Sequence, residues 1–127
     1  MRYYDVESDG HGVVGMLALA CCVVEAEAAL ARYPLLTAPP PGAPVTLVIA
    51  GTVTDAVAPL VSEAIAAHPE ATVIAFGACA SAGGPYWDSP VVTKGIDQLA
   101  RVDLYVPGCP PTPTALLSAL QEVAHAR

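Results

Sequence analysis

The chain has 127 residues, which suits one domain of ordinary size and leaves no room for two. Hydrophobic residues make up 54% and charged residues 13%, against about 25% charged in an average soluble domain, so part of the surface is expected to be covered by partners. The formal net charge is −7, with five Lys and Arg against twelve Asp and Glu and no basic cluster, which argues against nucleic-acid binding because counterion release needs a positive face. The apolar run from Gly12 to Val24 spans 13 residues, short of the roughly 20 of a membrane-spanning helix, and the basic start of a signal peptide is missing. Neither a single-span membrane protein nor a secreted one is expected.

After an acidic start (Asp5, Glu7, Asp9), residues Val13 to Arg32 predict a helix with a break near the cysteines, ending before Tyr33-Pro34. Residues 38–44 (APPPGAP) read as a stiff polyproline-like surface loop. Val45 to Ala50 (VTLVIA) is a short apolar, β-branched run closed by Gly51, the pattern of a strand covered on both faces. Asp55 to His68 carries Val57, Leu60, Val61, Ala64 and Ile65 at helical spacing, with Thr54 as the expected cap, Pro59 near the first turn and Pro69 closing it. Thr72 to Phe76 is the second strand, Gly77 to Pro90 a long loop, Val91 to Leu99 a short helix and Val102 to Val106 the third strand. Pro113 to Ala126 is the last helix, with Thr112 at its cap and Pro113 at the first helical position, where a missing N–H costs nothing. The order βαβαβα implies parallel strands and right-handed crossovers. The fold class is therefore α/β: one domain over residues 1–127, an open, mostly parallel, flavodoxin-like sheet with helices on both faces in three layers.

Four cysteines carry the chemistry: the tandem pair Cys21-Cys22, then Cys79 and Cys109. Cys79 and Cys109 each follow a strand end by three residues, and loops at the carboxyl ends of parallel strands share one edge of the sheet, where ligand sites form. If the helix bearing Cys21 and Cys22 packs over that edge, four sulfurs meet. Two disulfides, a zinc site, an iron-sulfur cluster and plain core packing are the readings of such a group. Disulfides need an oxidising compartment, and a bond between adjacent cysteines strains the backbone. Structural zinc prefers C-x₂₋₄-C knuckles, a spacing missing here. An iron-sulfur cube accepts thiolates from scattered loops and favours glycine nearby, because backbone N–H groups must approach the sulfides. Gly77, Gly83 and Gly84 around Cys79, and Gly108 before Cys109 in PGCPP, suit that reading best. A nucleotide site is not supported: Gly84 runs into Pro85-Tyr86, the only lysine is Lys94, and no G-x-G-x-x-G follows a strand. Paired carboxylates and a nucleophile-base pair are also missing, so no stand-alone activity is expected.

The runs ACCVVE (Ala20 to Glu25), VIAGTVTDAVAP (Val48 to Pro59), GACASAGGPY (Gly77 to Tyr86) and VDLYVPGCPPTPTALL (Val102 to Leu117) closely resemble the 20 kDa, B-type subunit family of NADH:quinone oxidoreductase, complex I. Small subunits of nickel-iron hydrogenases look similar in the last two runs but usually place a C-x-x-C where this chain has Cys21-Cys22, so the tandem pair favours the complex I branch. The resemblance implies one 4Fe-4S cluster ligated by Cys21, Cys22, Cys79 and Cys109, passing electrons toward quinone beside a large catalytic subunit of the 49 kDa or hydrogenase large-subunit type. It further implies a ferredoxin-like iron-sulfur subunit as neighbour, membrane subunits reached indirectly, and a peripheral place at the cytoplasmic face of the membrane. Glu25, in the CCxxE position, and Gly83, Gly84 and Gly108 are the implied surrounding residues; Asp103 and Tyr105 match the motif and are expected mainly to hold their strand. His68 and His125 are expected at helix ends on the surface. The chain departs from the family in a shorter stretch after the tandem cysteines and in APPPGAPVT (residues 38–46), which replaces a basic Ser-Pro-Arg segment that helps shape the quinone approach. The alternatives are a membrane-associated nickel-iron hydrogenase-like small subunit, or a non-redox assembly subunit holding zinc or no metal.

Overall fold

The computed structural model describes residues 1–19, 22–84, 90–91, 95–96, 99–108 and 111–126, and at residues 78, 79, 125 and 126 the backbone alone. In chain order the elements are β1 (Arg2–Asp5), a 3₁₀ turn (Glu7–Asp9), β2 (Val13–Ala18), α1 (Cys22–Leu30), β3 (Leu35–Leu36), β4 (Val45–Ala50), α2 (Ala58–Ala66), β5 (Thr72–Phe76), α3 (Ala78–Ala82), β6 (Leu104–Val106) and α4 (Pro113–Ala126). Among the described residues the strands form one six-stranded sheet in the order β3-β1-β2-β4-β5-β6.

The bounds of β4, β5 and α4 agree with the sequence reading. The helix expected over Val13 to Arg32 is corrected. Its first part is the strand β2, buried from Val13 to Met16, and the described helix runs from Cys22 to Leu30. VVGMLA has no period that separates a buried strand from a buried helix; its two β-branched valines favour the extended form once β1 and β4 stand on either side to pair with it. The break expected near the cysteines is the point where strand gives way to helix. The sheet is mostly parallel, as expected: β2, β4, β5 and β6 run parallel, and β1 pairs antiparallel with both β2 and β3, adding an edge.

Smaller differences have local causes. Residues 38–44 do not run straight: the Ala43 N–H donates to the Pro40 carbonyl at 3.1 Å, and Gly42 sits at φ 78°, which closes a turn. Helix α2 begins later than expected, because the Thr54 carbonyl takes the N–H groups of Val57 and Ala58 in a turn, and no side chain caps the helix. The expected loop from Gly77 holds α3, and β6 starts at Leu104 rather than Val102. There the Asp103 carboxylate accepts the Val73 N–H at 2.8 Å while its own N–H donates to the Val73 carbonyl at 2.9 Å, so this residue does hold its strand to β5. Much of the helix expected over Val91 to Leu99 lies outside the described residues. Thr112 caps α4 as expected, its hydroxyl accepting the Ala115 N–H at 3.3 Å.

Two apolar layers hold the sheet. On one face α1 and α4 pack Ala26, Leu30, Leu116 and Leu120 against Val14, Met16, Val48, Ile74 and Phe76. On the other, Val61 of α2 and Ala80 of α3 meet Ile49, Val73, Ala75 and Ile96. Helices on both faces make three layers, as expected. The end of α1 is tied down by a polar group: the Tyr33 hydroxyl and Arg32 both donate to Asp9 in the 3₁₀ turn, and Arg32 also donates to the Tyr33 oxygen at 2.7 Å. The Tyr33 hydrogen bond, supported by the Arg32 charge, holds the Asp9 carboxyl below its usual pKa. Among the described residues no helix is long and apolar enough to cross a membrane.

Candidate functional site

The register of the parallel strands places Ala18, Ala50, Phe76 and Val106 side by side in one row. All four parallel strands therefore end at one level, and their connections leave from the same edge: Leu19 after β2, Gly51 after β4, Gly77 after β5 and Pro107-Gly108 after β6. This is the edge at which open α/β sheets place ligands.

Cys22 opens α1 at this edge and is 1% exposed, within the same apolar layer as Phe76 and Val106. Its sulfur lies against Gly77: a Cβ placed on Gly77 would stand 2.5 Å from Cys22 Sγ and 3.6 Å from the Gly108 carbonyl oxygen. Gly77 has φ +98°, and its N–H donates to the Val106 carbonyl at 2.7 Å. Three segments expected to carry sulfur thus converge: Cys22 itself, the residue two before Cys79, and the residue one before Cys109. The Cys79 backbone lies in α3, while Cys21 and Cys109 lie outside the described residues. Among the described residues no group of three or more His, Cys, Asp or Glu is gathered to hold a metal ion.

The Gly77 N–H is engaged by Val106, so this residue contributes room rather than a hydrogen bond to sulfur. Gly108, at φ +136°, would bring a Cβ within 2.8 Å of Pro111 Cα and 2.9 Å of Pro111 N, so its bareness lets Pro111 approach. Gly83 and Gly84 come after α3, Gly83 buried and Gly84 half-buried. Glu25 is half-buried in the first turn of α1. His68 is partly buried, its Nε2 3.0 Å from the Tyr3 hydroxyl, and lies away from the cysteine edge. Tyr105 is 44% exposed on β6.

Of the four cysteines, Cys22 is the one whose side chain is described, and its surroundings have the character an iron-sulfur ligand needs. A buried thiol offers a soft ligand with no water around it, and the backbone beside it is bare where a side chain would fill the space. Ser81, two residues beyond Cys79, has a buried hydroxyl with no hydrogen-bond partner among the described residues. In the sequence Gly77 reads only as a loop glycine; the G-x-C spacing is the available sign, but nothing in it points to Cys22.

Comparison with known proteins gives the family. The family described as NADH ubiquinone oxidoreductase, 20 Kd subunit, matches residues 13–123. The B 2 subunit of NADH-quinone oxidoreductase from Streptomyces griseus is 49% identical over 110 residues, covering 80% of this chain and 47% of that protein. The B 1 subunit from Salinispora tropica is 47% identical over 110 residues, covering 80% and 58%. The chain thus spans about half the length of these relatives. Among solved structures, a chain of the membrane-bound sulfane sulfur reductase, an archaeal respiratory membrane complex, superposes with a TM-score of 0.60 at 29% identity, over 69% of this chain and 50% of that one. A chain of an NAD⁺-reducing [NiFe]-hydrogenase in the H₂-reduced state gives 0.55 at 21% identity, over 90% of each, a likeness of fold. With Cys22 at the head of α1 and a family match running from β2 into α4, the chain belongs to the 20 kDa subunit family of NADH:ubiquinone oxidoreductase.

Proposed function

We propose that this chain is an electron-transfer subunit of a complex I-like NADH:quinone oxidoreductase, holding one 4Fe-4S cluster through Cys21, Cys22, Cys79 and Cys109 and relaying electrons toward quinone. The observation that carries the reading is the seating of Cys22 Sγ on Gly77 beside Gly108, which draws three cysteine-bearing segments to one sheet edge. When bound, such a cluster supplies one-electron transfer, taking one electron from a donor and giving it to an acceptor with no bond to carbon made or broken. The protein's part is positional. The aligned strand ends hold the ligand loops at fixed height, the core around Cys22 keeps water from its sulfur, and the prolines of PGCPP stiffen the loop after β6.

Val24, 68% exposed two residues beyond Cys22, puts an apolar side chain at the surface near this edge, as an interface with a neighbouring chain requires. The partners proposed are a large catalytic subunit of the 49 kDa type, a ferredoxin-like iron-sulfur subunit and, through them, membrane subunits, with the chain peripheral at the cytoplasmic face. A second reading, a subunit of another membrane-bound respiratory complex of the hydrogenase-like kind, draws on the 29% identical chain of the sulfane sulfur reductase.

The test is elemental analysis of the assembly purified without oxygen through a tag on this chain, with low-temperature electron paramagnetic resonance. Iron without nickel, and in Cys79→Ser the loss of about four irons together with one of the paramagnetic signals, are expected. Stoichiometric nickel would move the assignment to the hydrogenase-like complex. Zinc or no metal would overturn the redox reading.

A further inference from the structure

We infer that Gly77 is the positioning residue for Cys22: the missing side chain at 77 is the seat that fixes where the Cys22 sulfur stands, and with it the geometry of the metal-binding edge. The part concerning a cluster rests on the function proposed above. The part concerning the seat does not.

A Cβ at position 77 would stand 2.5 Å from Sγ, whereas ordinary contacts begin at 3.4 Å, so the two atoms have to separate by roughly 1 Å. Neither side yields easily. Cys22 is 1% exposed and belongs to the buried layer that includes Phe76, Val106 and Leu116, so moving its sulfur disturbs packed side chains. The backbone at 77 is pinned in both directions, its N–H donating to the Val106 carbonyl at 2.7 Å and its carbonyl accepting the Ser81 N–H at 3.1 Å. Moving residue 77 therefore moves the end of β6 or the start of α3, which are the segments leading to Cys109 and Cys79. Sulfur and ligand loops are coupled through one bare Cα.

An L side chain at φ +98° is strained whatever it touches, so Gly77→Ala alone does not isolate the contact. A double-mutant cycle does, because the strain is common to both backgrounds while the sulfur is present in only one. Thermal unfolding of the full chain is compared for the parent, Gly77→Ala, Cys22→Ala and the double variant. The fall in Tm caused by Gly77→Ala is expected to shrink by at least half when Cys22 is alanine. If Gly77→Ala does not fold, folding of the double variant supports the seat, and failure of both overturns it.

In the assembly prepared without oxygen, Gly77→Ala is expected to lose iron or to shift the paramagnetic g-values and midpoint potential. Val61→Ala, a core change on the opposite face, is expected to lower Tm with the spectrum intact. Equal falls in Tm in both cysteine backgrounds, or a Gly77→Ala assembly with full iron, unshifted spectrum and unshifted potential, would overturn the inference. A parent assembly without iron refutes the cluster, while the cycle still decides the seat.

Discussion

Leu30 is the side chain on which the placement of α1 depends most directly. It has no exposed surface and lies between α1 and α4, together with Leu116, Leu120 and Met16. Leu30→Ala removes three carbons, a transfer loss of about 2.5 kcal/mol at roughly 0.8 kcal/mol per buried methylene. The cavity left behind adds to this, because a site packed by two helices and a sheet collapses only in part, giving about 3–4 kcal/mol in total. For a domain of this size that corresponds to a fall in Tm of roughly 10–15 °C. The comparator is Val24→Ala on the same helix, 68% exposed, expected to stay within about 0.5 kcal/mol. Urea and thermal unfolding of the full chain, followed by circular dichroism, measure both. Equal costs for the two variants would mean that α1 does not bury this face, and the position of Cys22 at the sheet edge would fall with it.

Two further outcomes rest on single interactions. Thr112→Ala removes the hydroxyl that accepts the Ala115 N–H at 3.3 Å and is expected to cost about 0.5–1 kcal/mol in urea unfolding, with Thr112→Ser retaining most of it; an equal loss in both would exclude the cap. Asp9 has its pKa lowered from the usual 3.8 by the Tyr33 hydrogen bond, so its stabilisation is present above 3.8 and is lost as pH falls through the lower folded value. Asp9→Asn should therefore be less stable than the parent near neutral pH, with the gap in urea midpoint closing in acid; a gap independent of pH would show that the carboxylate charge contributes nothing.

Much of the site is legible in the amino-acid sequence. VTLVIA before Gly51 and TVIAF before Gly77 are β-branched runs with glycine stops, and Thr112-Pro113 marks a helix start, so those bounds agree with the fold. Counting from the strand ends puts Cys79 and Cys109 beyond one sheet edge, and the observed register makes that edge a straight row. VVGMLA reads wrongly as helix because an apolar run without polar alternation carries no period, and what chooses the extended form is the pair of neighbouring strands. β1 and β3 are too short to announce themselves; β3 has two residues and exists because Tyr3 and Tyr4 pair with Leu36 and Leu35.

Local chemistry is thus enough to determine the α/β class, three of the parallel strands and the capped last helix. Tertiary structure alone decides that residues 13–18 are strand, that the sheet has an antiparallel edge, and that Gly77 lies against Cys22, 55 positions away in the chain. The reason is physical: propensities and caps act within a few residues, while strand pairing and the exclusion of a Cβ by a sulfur are contacts between segments that only the folded chain brings together.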